Sequence, residues 1–293
     1  MYEFDCAKDM LGLCEKYELP ISALMYRREL EGTEAGEEEI DGKMSRALEI
    51  MKHAAHSPII QPKKSMNGLL GGEAQKLDAL YQTGKAPCGD LVSRGITYAM
   101  AVLEVNASMG LIVAAPTAGS AGIVPGTLLA LQEIYGLSDD ALLSGLYNAG
   151  AIGYLAMRNA TVAGAVGGCQ AEVGVASAMA ASAMTELMGG TPRMCAAAAS
   201  TVLQNMLGLV CDPVGGFVEY PCQNRNAAGV ANAMVASELA LAGIPQLIPL
   251  DEMMDAMYKV GKRIPPELRE TALGGCATTP SACASCQGGC AGN

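Results

Sequence analysis

The sequence predicts an all-α protein, and three observations point to that class. About half of the 293 residues are apolar, built largely from Ala, Met and Leu, with two Phe and no Trp. Ala, Leu and Met favour helix. Apolar residues recur at helical spacing, and no stretch alternates apolar and polar residues over the length of a strand. We therefore expect a compact bundle of Ala- and Gly-rich helices around a buried central set.

The predicted elements follow in order from the amino terminus. Two short helices fit residues 3 to 30, interrupted by Pro20, and an acidic helix fits residues 37 to 55, ending near Pro58. Residues 59 to 74 lack periodicity and are rich in Gly, which predicts a loop. Apolar helices separated by Gly- and Pro-bearing breaks are then predicted over residues 89–109, 120–135, 138–157, 170–188, 193–209, 226–242 and 250–261.

The carboxyl-terminal segment differs from the rest of the chain. Residues 276 to 293 lose all periodicity, and the last 20 residues hold four of the eleven Cys. We interpret the chain as one all-helical domain, residues 1–275, followed by a Cys-rich tail without helix, residues 276–293.

Charge and composition exclude several classes of partner. A net charge of −11 argues against nucleic acid, because binding phosphates needs clustered Lys and Arg. Residues 105 to 132 are uncharged, but their Pro and Gly break and the lack of aromatic belts argue against a membrane span.

The first residues lack the pattern of a secretory signal, which predicts a cytoplasmic protein. In that reducing compartment, eleven Cys suggest metal ligation or catalysis more than disulfides.

Three Cys lie beside Gly, Pro or Asn, where helices should break. They are Cys169, Cys211 and Cys222, and thiolates from separate connections could converge to bind a metal. Their separations of 42 and 11 positions match no ferredoxin or zinc pattern. Buried apolar Cys is an equally consistent interpretation. From spacing alone, both stay open.

Five segments in order resemble the α subunit of iron–sulfur-dependent L-serine dehydratases: SMNGLLGGEAQKL, APTAGSAGIVPG, GGCQAEVGVASAMA, CDPVGGFVEYPCQNRNAAGVANA and RETALGGCATTP. The resemblance covers about residues 57 to 280. It implies an enzyme that converts L-serine to pyruvate and ammonia, with Cys169, Cys211 and Cys222 holding a four-iron, four-sulfur (4Fe-4S) cluster. Three Cys ligands leave one iron open as a Lewis acid for the serine hydroxyl.

The same resemblance implies that two Gly-bearing loops line the active site, with further candidates just after Cys222. The candidate substrate-binding residues are Ser65, Met66, Asn67, Gly68, Thr117, Ala118, Gly119, Asn224, Arg225 and Asn226. Arg is the natural bidentate partner of a carboxylate. For Ser65 and Thr117, helix capping or turn formation is the alternative.

No motif marks the general base. His53 and His56 are the only two His, and neither lies in a catalytic pattern. Lys63 and Lys64 are better placed, next to the first loop, and we take Lys64 with Ser65 and Asn67 as the catalytic candidates. Single-chain relatives carry a further domain with a Ser-Ser-His-Thr segment that has no counterpart here. We expect a separate β subunit to supply it, and a homo-oligomer is also compatible with the sequence.

The tail departs from the family pattern. Cys276 stands where relatives have an apolar residue, and the run CASCQGGC adds three more Cys. Some single-chain relatives end in a Cys that occupies the open iron. By that resemblance Cys290 is the candidate fourth ligand, favoured over Cys276, Cys283 and Cys286.

Two other functions stay open at this point. A cluster-dependent cysteine desulfidase would use the same open iron for a substrate thiol. A non-catalytic iron–sulfur carrier or scaffold belongs to a different class, and three-Cys ligation favours catalysis over it.

Overall fold

The computed structural model describes residues 1–34 and 36–285, which form helices and no strand. The α-helices are α1 Ala7–Tyr17, α2 Ile21–Gly32, α3 Glu37–Ile60, α4 Glu73–Gln82, α5 Gly89–Ala107, α6 Ile123–Tyr135, α7 Asp139–Asn159, α8 Gly164–Gly167, α9 Val175–Leu187, α10 Pro192–Asn205, α11 Cys222–Leu241, α12 Leu250–Gly261 and α13 Pro280–Ser285. Short 3-10 turns lie at Ala118–Ser120, Val214–Gly216, Pro266–Leu268 and Gly275–Thr278, and a π-helical turn lies at Gln170–Gly174. The predicted all-α class is confirmed.

Helix α9 is the centre of the bundle. Every residue from 175 to 185, the run VASAMAASAMT, is buried. The helix packs against α6, α7, α10 and α11. Because the helix has no polar face, neighbouring helices must cover it on every side. Its small side chains let these four neighbours approach closely. The predicted buried central helix is confirmed.

Helices α5, α6 and α11 also pack closely against one another. A Cβ on Gly126 of α6 would lie 2.8 Å from the carbonyl oxygen of Gly95 in α5. In a close-packed interior no side chain could shift to make room for it, because the obstacle is backbone. Since α6 follows the loop at residues 117 to 122 and α11 begins at Cys222, this packing fixes the loop relative to that Cys.

Helix α4 has no counterpart among the predicted elements, and several helix boundaries differ from the predictions. Helix α3 continues through Pro58 to Ile60, because Gln61 N still donates to Ser57 O at 2.8 Å and the Pro58 ring is buried. The prediction that the carboxyl-terminal segment contains no helix is wrong for Pro280–Ser285. The sequence signal for the start of this helix is the pair Thr279 and Pro280. The Thr279 hydroxyl accepts from Ala282 N as a helix cap, and Pro280 takes the first helical position.

Among the described helices, none is both long enough and apolar enough to cross a membrane.

Candidate active site

Cys169 lies at a break between two helices. Helix α8 ends at Gly167, Gly168 takes φ +74°, and Cys169 opens the π-helical turn that leads into α9. Only glycine fits at 168, because its backbone is left-handed and a Cβ would lie 2.8 Å from Leu209 O. Short π-helical turns inside helices are frequent at functional sites. Glu172 follows three residues later on the same face of the turn.

Cys211 lies in the connection after α10. Its N–H donates to Leu268 O at 2.9 Å, and its carbonyl accepts from Glu270 N at 2.7 Å. These two hydrogen bonds form an isolated parallel β-bridge between Cys211 and Arg269. The segment around residue 269 therefore holds the backbone of Cys211 in place, although it is distant in sequence.

Cys222 is the first residue of α11 and is buried. Asn226, one turn later, donates from Nδ2 to Cys222 O at 2.9 Å and to Gly119 O at 2.8 Å. Its Oδ1 accepts from Gly122 N at 3.1 Å. Asn226 thus connects the start of α11 to the loop at residues 117 to 122.

The structure brings Cys169 and Cys211 into one group, with Cys222 nearby. One sulfur each from Cys169 and Cys211 and one carboxylate oxygen of Glu172 all lie within 4.8 Å of one another. Cys222 lies outside this compact group but interacts electrostatically with both other cysteines. The side chains are almost fully buried, at 2% exposed for Cys169, 4% for Cys211 and 7% for Cys222. Thiolate and carboxylate donors in this arrangement could hold a metal.

Hydrogen bonding and burial set the charge states of these thiols. A hydrogen bond from Cys211 lowers the pKa of Cys169, and the nearby Arg225 guanidinium acts in the same direction against the effect of burial. The same hydrogen bond, together with burial, raises the pKa of Cys211. Burial raises the pKa of Cys222 to about 12. Cys169 is therefore the thiol most readily deprotonated for metal binding.

Asp212 joins three parts of the site. Its Oδ1 lies 2.7 Å from Arg225 Nη1, which also donates to Val210 O at 3.0 Å. Its Oδ2 accepts from Cys276 N at 2.6 Å. A Cβ on Gly275 would overlap that carboxylate, so this close approach requires glycine. The beginning of the segment 276–293 thus contributes a wall of the site.

Glu219 shapes the loop that contains Ser65. Its side chain is buried, and it accepts from Ser65 Oγ at 2.7 Å, Asn67 N at 2.8 Å and Leu69 N at 3.2 Å. Ser65 Oγ in turn accepts from Leu70 N at 3.0 Å. Because Glu219 lies three residues before Cys222, these bonds place the loop beside the cysteine cluster.

Thr117 connects the second loop to the same cluster. Its hydroxyl donates to Glu172 Oε1 at 2.9 Å and lies 3.1 Å from Ser120 Oγ. The other carboxylate oxygen of Glu172 accepts from Cys211 Sγ at 3.7 Å. Burial raises the pKa of Glu172, against the lowering effect of the Thr117 hydrogen bond. The second loop therefore contacts Cys211 through Glu172, whereas the first loop is held by Glu219, three residues before Cys222.

Comparison with known proteins identifies the family of the chain. Residues 16–277 match the family model described as "Serine dehydratase alpha chain". The chain belongs to this family. It is 47% identical over 278 residues to a probable L-serine dehydratase, alpha chain, of Bacillus subtilis (strain 168), covering 95% of this chain and 92% of that one. It is 42% identical over 271 residues to the L-serine dehydratase, alpha chain, of Peptoniphilus asaccharolyticus, covering 92% and 93%.

Longer members of the family also match. An L-serine dehydratase of Helicobacter pylori (strain J99 / ATCC 700824) is 35% identical over 287 residues, which are 95% of this chain but 62% of that protein. More than a third of its length therefore has no counterpart in the aligned region.

The structure distributes the other sequence-predicted residues unevenly. Lys64, Met66, Gly68, Ala118 and Asn224 are exposed. Arg225 and Asn226 are engaged with neighbouring groups of the chain as described above. Cys290 lies outside the described residues.

The two His lie apart from these contacts. His53 and His56 are exposed, and the ring of His56 packs 4.9 Å from that of Tyr98 while its Nδ1 contacts Lys52 O. None of the contacts of His56 among the described residues is with the cysteine cluster.

Sequence reasoning missed three acidic residues of this family site. Glu172, Asp212 and Glu219 each lie within three positions of one of the cysteines, inside segments that carry the family resemblance. Their proximity to a Cys was the available signal. The loop and tail residues that they accept from, Thr117, Cys276 and Ser65, are 55 to 154 residues away in sequence, which spacing does not reveal.

Proposed function

We propose that this chain is the catalytic α subunit of an L-serine dehydratase, a lyase that converts L-serine to pyruvate and ammonia. One observation carries the proposal: Cys169, Cys211 and Glu172 form a compact donor group that contacts the Thr117 loop, with Cys222 nearby, in a member of the serine dehydratase alpha chain family. The relatives named above are L-serine dehydratases or their alpha chains.

The proposed cofactor is a 4Fe-4S cluster held by Cys169, Cys211 and Cys222. Thiolates are the usual protein ligands of such clusters. Support comes from the burial of all three side chains and from the lowered pKa of Cys169. When bound, the cluster supplies a Lewis-acidic metal that makes the serine hydroxyl a better leaving group.

The protein's own part is to position the substrate and keep water out. Because Ser65 Oγ and Asn67 N are occupied by Glu219, we assign them to holding the first loop in shape. The Asn67 side chain and the N–H groups of Ala118 and Gly119 are then the groups proposed to orient serine. The latter two begin a 3-10 turn, where N–H groups have no partner within the turn.

Arg225 and Asn226 take positioning roles in this proposal. The guanidinium of Arg225 compensates the charge of the Cys169 thiolate, and its contact with Asp212 fixes its direction. Asn226 holds Gly119 and Gly122 against α11. Asn224 and Met66, both exposed, are proposed to border the entrance.

A separate β subunit is proposed to complete the site. The two alpha chains named above match along more than 90% of their length, whereas the single-chain relative matches over 62%. Lys64 is the candidate base within this chain. Its exposure is compatible with a base that is enclosed only when a partner docks.

The tail is proposed to regulate access. Cys276 is anchored to Asp212, α13 ends at Ser285, and Cys290 follows five positions later, which allows a reach of at most about 17 Å from the end of that helix. A thiolate tethered this way has a high effective concentration at the cluster, so it can cover the open iron when serine is absent. We place the protein in the cytoplasm, where thiols stay reduced.

Pyruvate release after anaerobic reconstitution with iron and sulfide, with the β subunit present, tests the function. L-Serine should give pyruvate, and L-cysteine is the matched substrate control. Pyruvate and sulfide from cysteine, without pyruvate from serine, would make the chain a desulfidase. Full iron and sulfide content without turnover of either would make it a carrier.

A further inference from the structure

Glu172 has a position that its hydrogen bonds alone do not explain. One of its carboxylate oxygens, a Cys169 sulfur and a Cys211 sulfur form the compact donor group in which all atoms lie within 4.8 Å. The π-helical turn begins immediately after Cys169, and it presents Glu172 on the side of that Cys. Among the described residues, no other group of three Cys, His or acidic side chains is arranged closely enough to hold a metal.

The two carboxylate oxygens have different surroundings. Oε1 accepts from Thr117 Oγ1 at 2.9 Å, and Thr117 is itself 3.1 Å from Ser120 Oγ. Oε2 faces Cys211 Sγ at 3.7 Å, which is long for a strong hydrogen bond. Metal-binding carboxylates are commonly oriented by an outer hydrogen bond on one oxygen. The chain Ser120, Thr117, Glu172 has that form.

Gly164 supplies an independent observation. A Cβ at this position would overlap Glu172 Oε2 and would lie 3.3 Å from Cys211 Sγ. The backbone of helix α8 at Gly164 therefore lies against this donor group, so closely that there is room for the glycine hydrogen atom but not for a side chain. A methyl group here would push the carboxylate and the sulfur out of place.

We propose that Glu172 is a metal ligand, donating its Oε2 carboxylate oxygen to the metal group held by Cys169 and Cys211. This proposal requires only that a metal ion or metal cluster binds here, and it does not otherwise depend on the proposed function. Carboxylate oxygen is a harder and weaker donor to such a metal than thiolate. Glu172 thus provides the displaceable position of the set, on the side that faces the Thr117 loop and the proposed serine site.

The proposed tail thiol would compete for the same position. Cys290 lies outside the described residues, so the test removes it by sequence. All variants below are compared in the full-length chain and again with Cys290→Ser. In the second background Glu172 has no competitor from that thiol.

Anaerobic titration of the metal-free full-length chain with Co²⁺ is the first measurement. Thiolate ligation gives a charge-transfer absorption, and the ligand-field bands report the remaining donors. Glu172→Gln should weaken Co²⁺ binding about tenfold or more and shift the ligand-field bands, since even outer-shell changes cost 10–100-fold. Unchanged affinity and unchanged bands in Glu172→Gln would overturn the proposal.

Glu186→Gln is the matched control. Glu186 also belongs to the α9 region and is hydrogen-bonded by Asn148 Nδ2 at 2.7 Å, but it lies fourteen positions further along, about 20 Å away. The Co²⁺ affinity of the Glu186→Gln variant should equal that of the parent chain. An equal loss in both variants would mean a general charge effect and would overturn the assignment.

Thr117→Val keeps the proposal testable if Glu172→Gln folds poorly. It removes the contacts of the Thr117 hydroxyl with Glu172 Oε1 and Ser120 Oγ, and circular dichroism checks that the helices are retained. We expect a smaller loss of Co²⁺ affinity with the same direction of band shift, and no change would count against the ligand. Pyruvate assays on the parent chain reconstituted with iron and sulfide, with the β subunit present, separate the two proposals: Co²⁺ results as expected without serine turnover leave Glu172 a ligand while refuting the enzyme.

Discussion

Replacement of Glu219 by Gln should release the first loop while leaving the fold intact. The carboxylate accepts from Ser65 Oγ, Asn67 N and Leu69 N. A Gln of the same shape has one oxygen, so it can keep the two bonds at Oε2 and must turn its NH₂ group towards Asn67 N. A buried donor left without an acceptor costs about 1–3 kcal/mol. Since 1.4 kcal/mol is a factor of ten, the loop should open about 5–150 times more often.

Amide hydrogen exchange measures that opening directly. In the full-length chain, the amides of Asn67 and Leu69 should exchange faster in Glu219→Gln by the factor above, with α9 unaffected. Glu238→Gln is the control, because Glu238 is an exposed carboxylate of α11. Unchanged exchange at both amides would refute the conclusion that Glu219 holds the loop. The KM for serine should rise in the same variant, since the loop is proposed to orient substrate.

Four further predictions concern the metal and the tail. Cys169→Ser, Cys211→Ser or Cys222→Ser should each abolish serine turnover and lower the iron content, and full iron with normal turnover in any of them would contradict the ligand set. Aerobic dialysis should inactivate the reconstituted enzyme, because an open iron is lost on oxidation; activity that survives would exclude that open site. Gly164→Ala should lower iron content by displacing the Glu172 carboxylate, measured against Gly36→Ala, where a Cβ meets nothing within 4 Å. Removal of residues 282 to 293 should lower the serine KM and speed inactivation by oxygen; if both stay unchanged, the tail does not cover the iron.

The sequence predicted the helices well because their signal is local. The long apolar helices between residues 89 and 261 were found from spacing and from Gly- and Pro-bearing breaks, and most ends agree within a few residues. The start of α11 was placed four residues late, at 226 instead of Cys222, because the polar run after that Cys hides the first turn.

The site itself could be predicted only in part. The cysteines and both loops were identified through family resemblance. In the structure, the Thr117 hydroxyl donates to Glu172, which in turn contacts Cys211. The contact between Ser65 and Glu219 joins positions 154 residues apart, and no periodicity encodes such a pairing. The sequence did not reveal the carboxylates of Glu172 and Glu219 that hold the two loops, because each accepts from a loop residue in a distant part of the chain.

The anchoring of Cys276 on Asp212 also determines when the enzyme can be matured. Walls of the site come from positions as early as Ser65 and as late as Cys276, so a growing polypeptide does not contain all of them until residue 276 has been made. At about 5–20 residues per second, a ribosome needs roughly 14–55 s to add 276 residues. The proposed cluster would then be inserted into a scaffold that already holds these carboxylates and thiols in place.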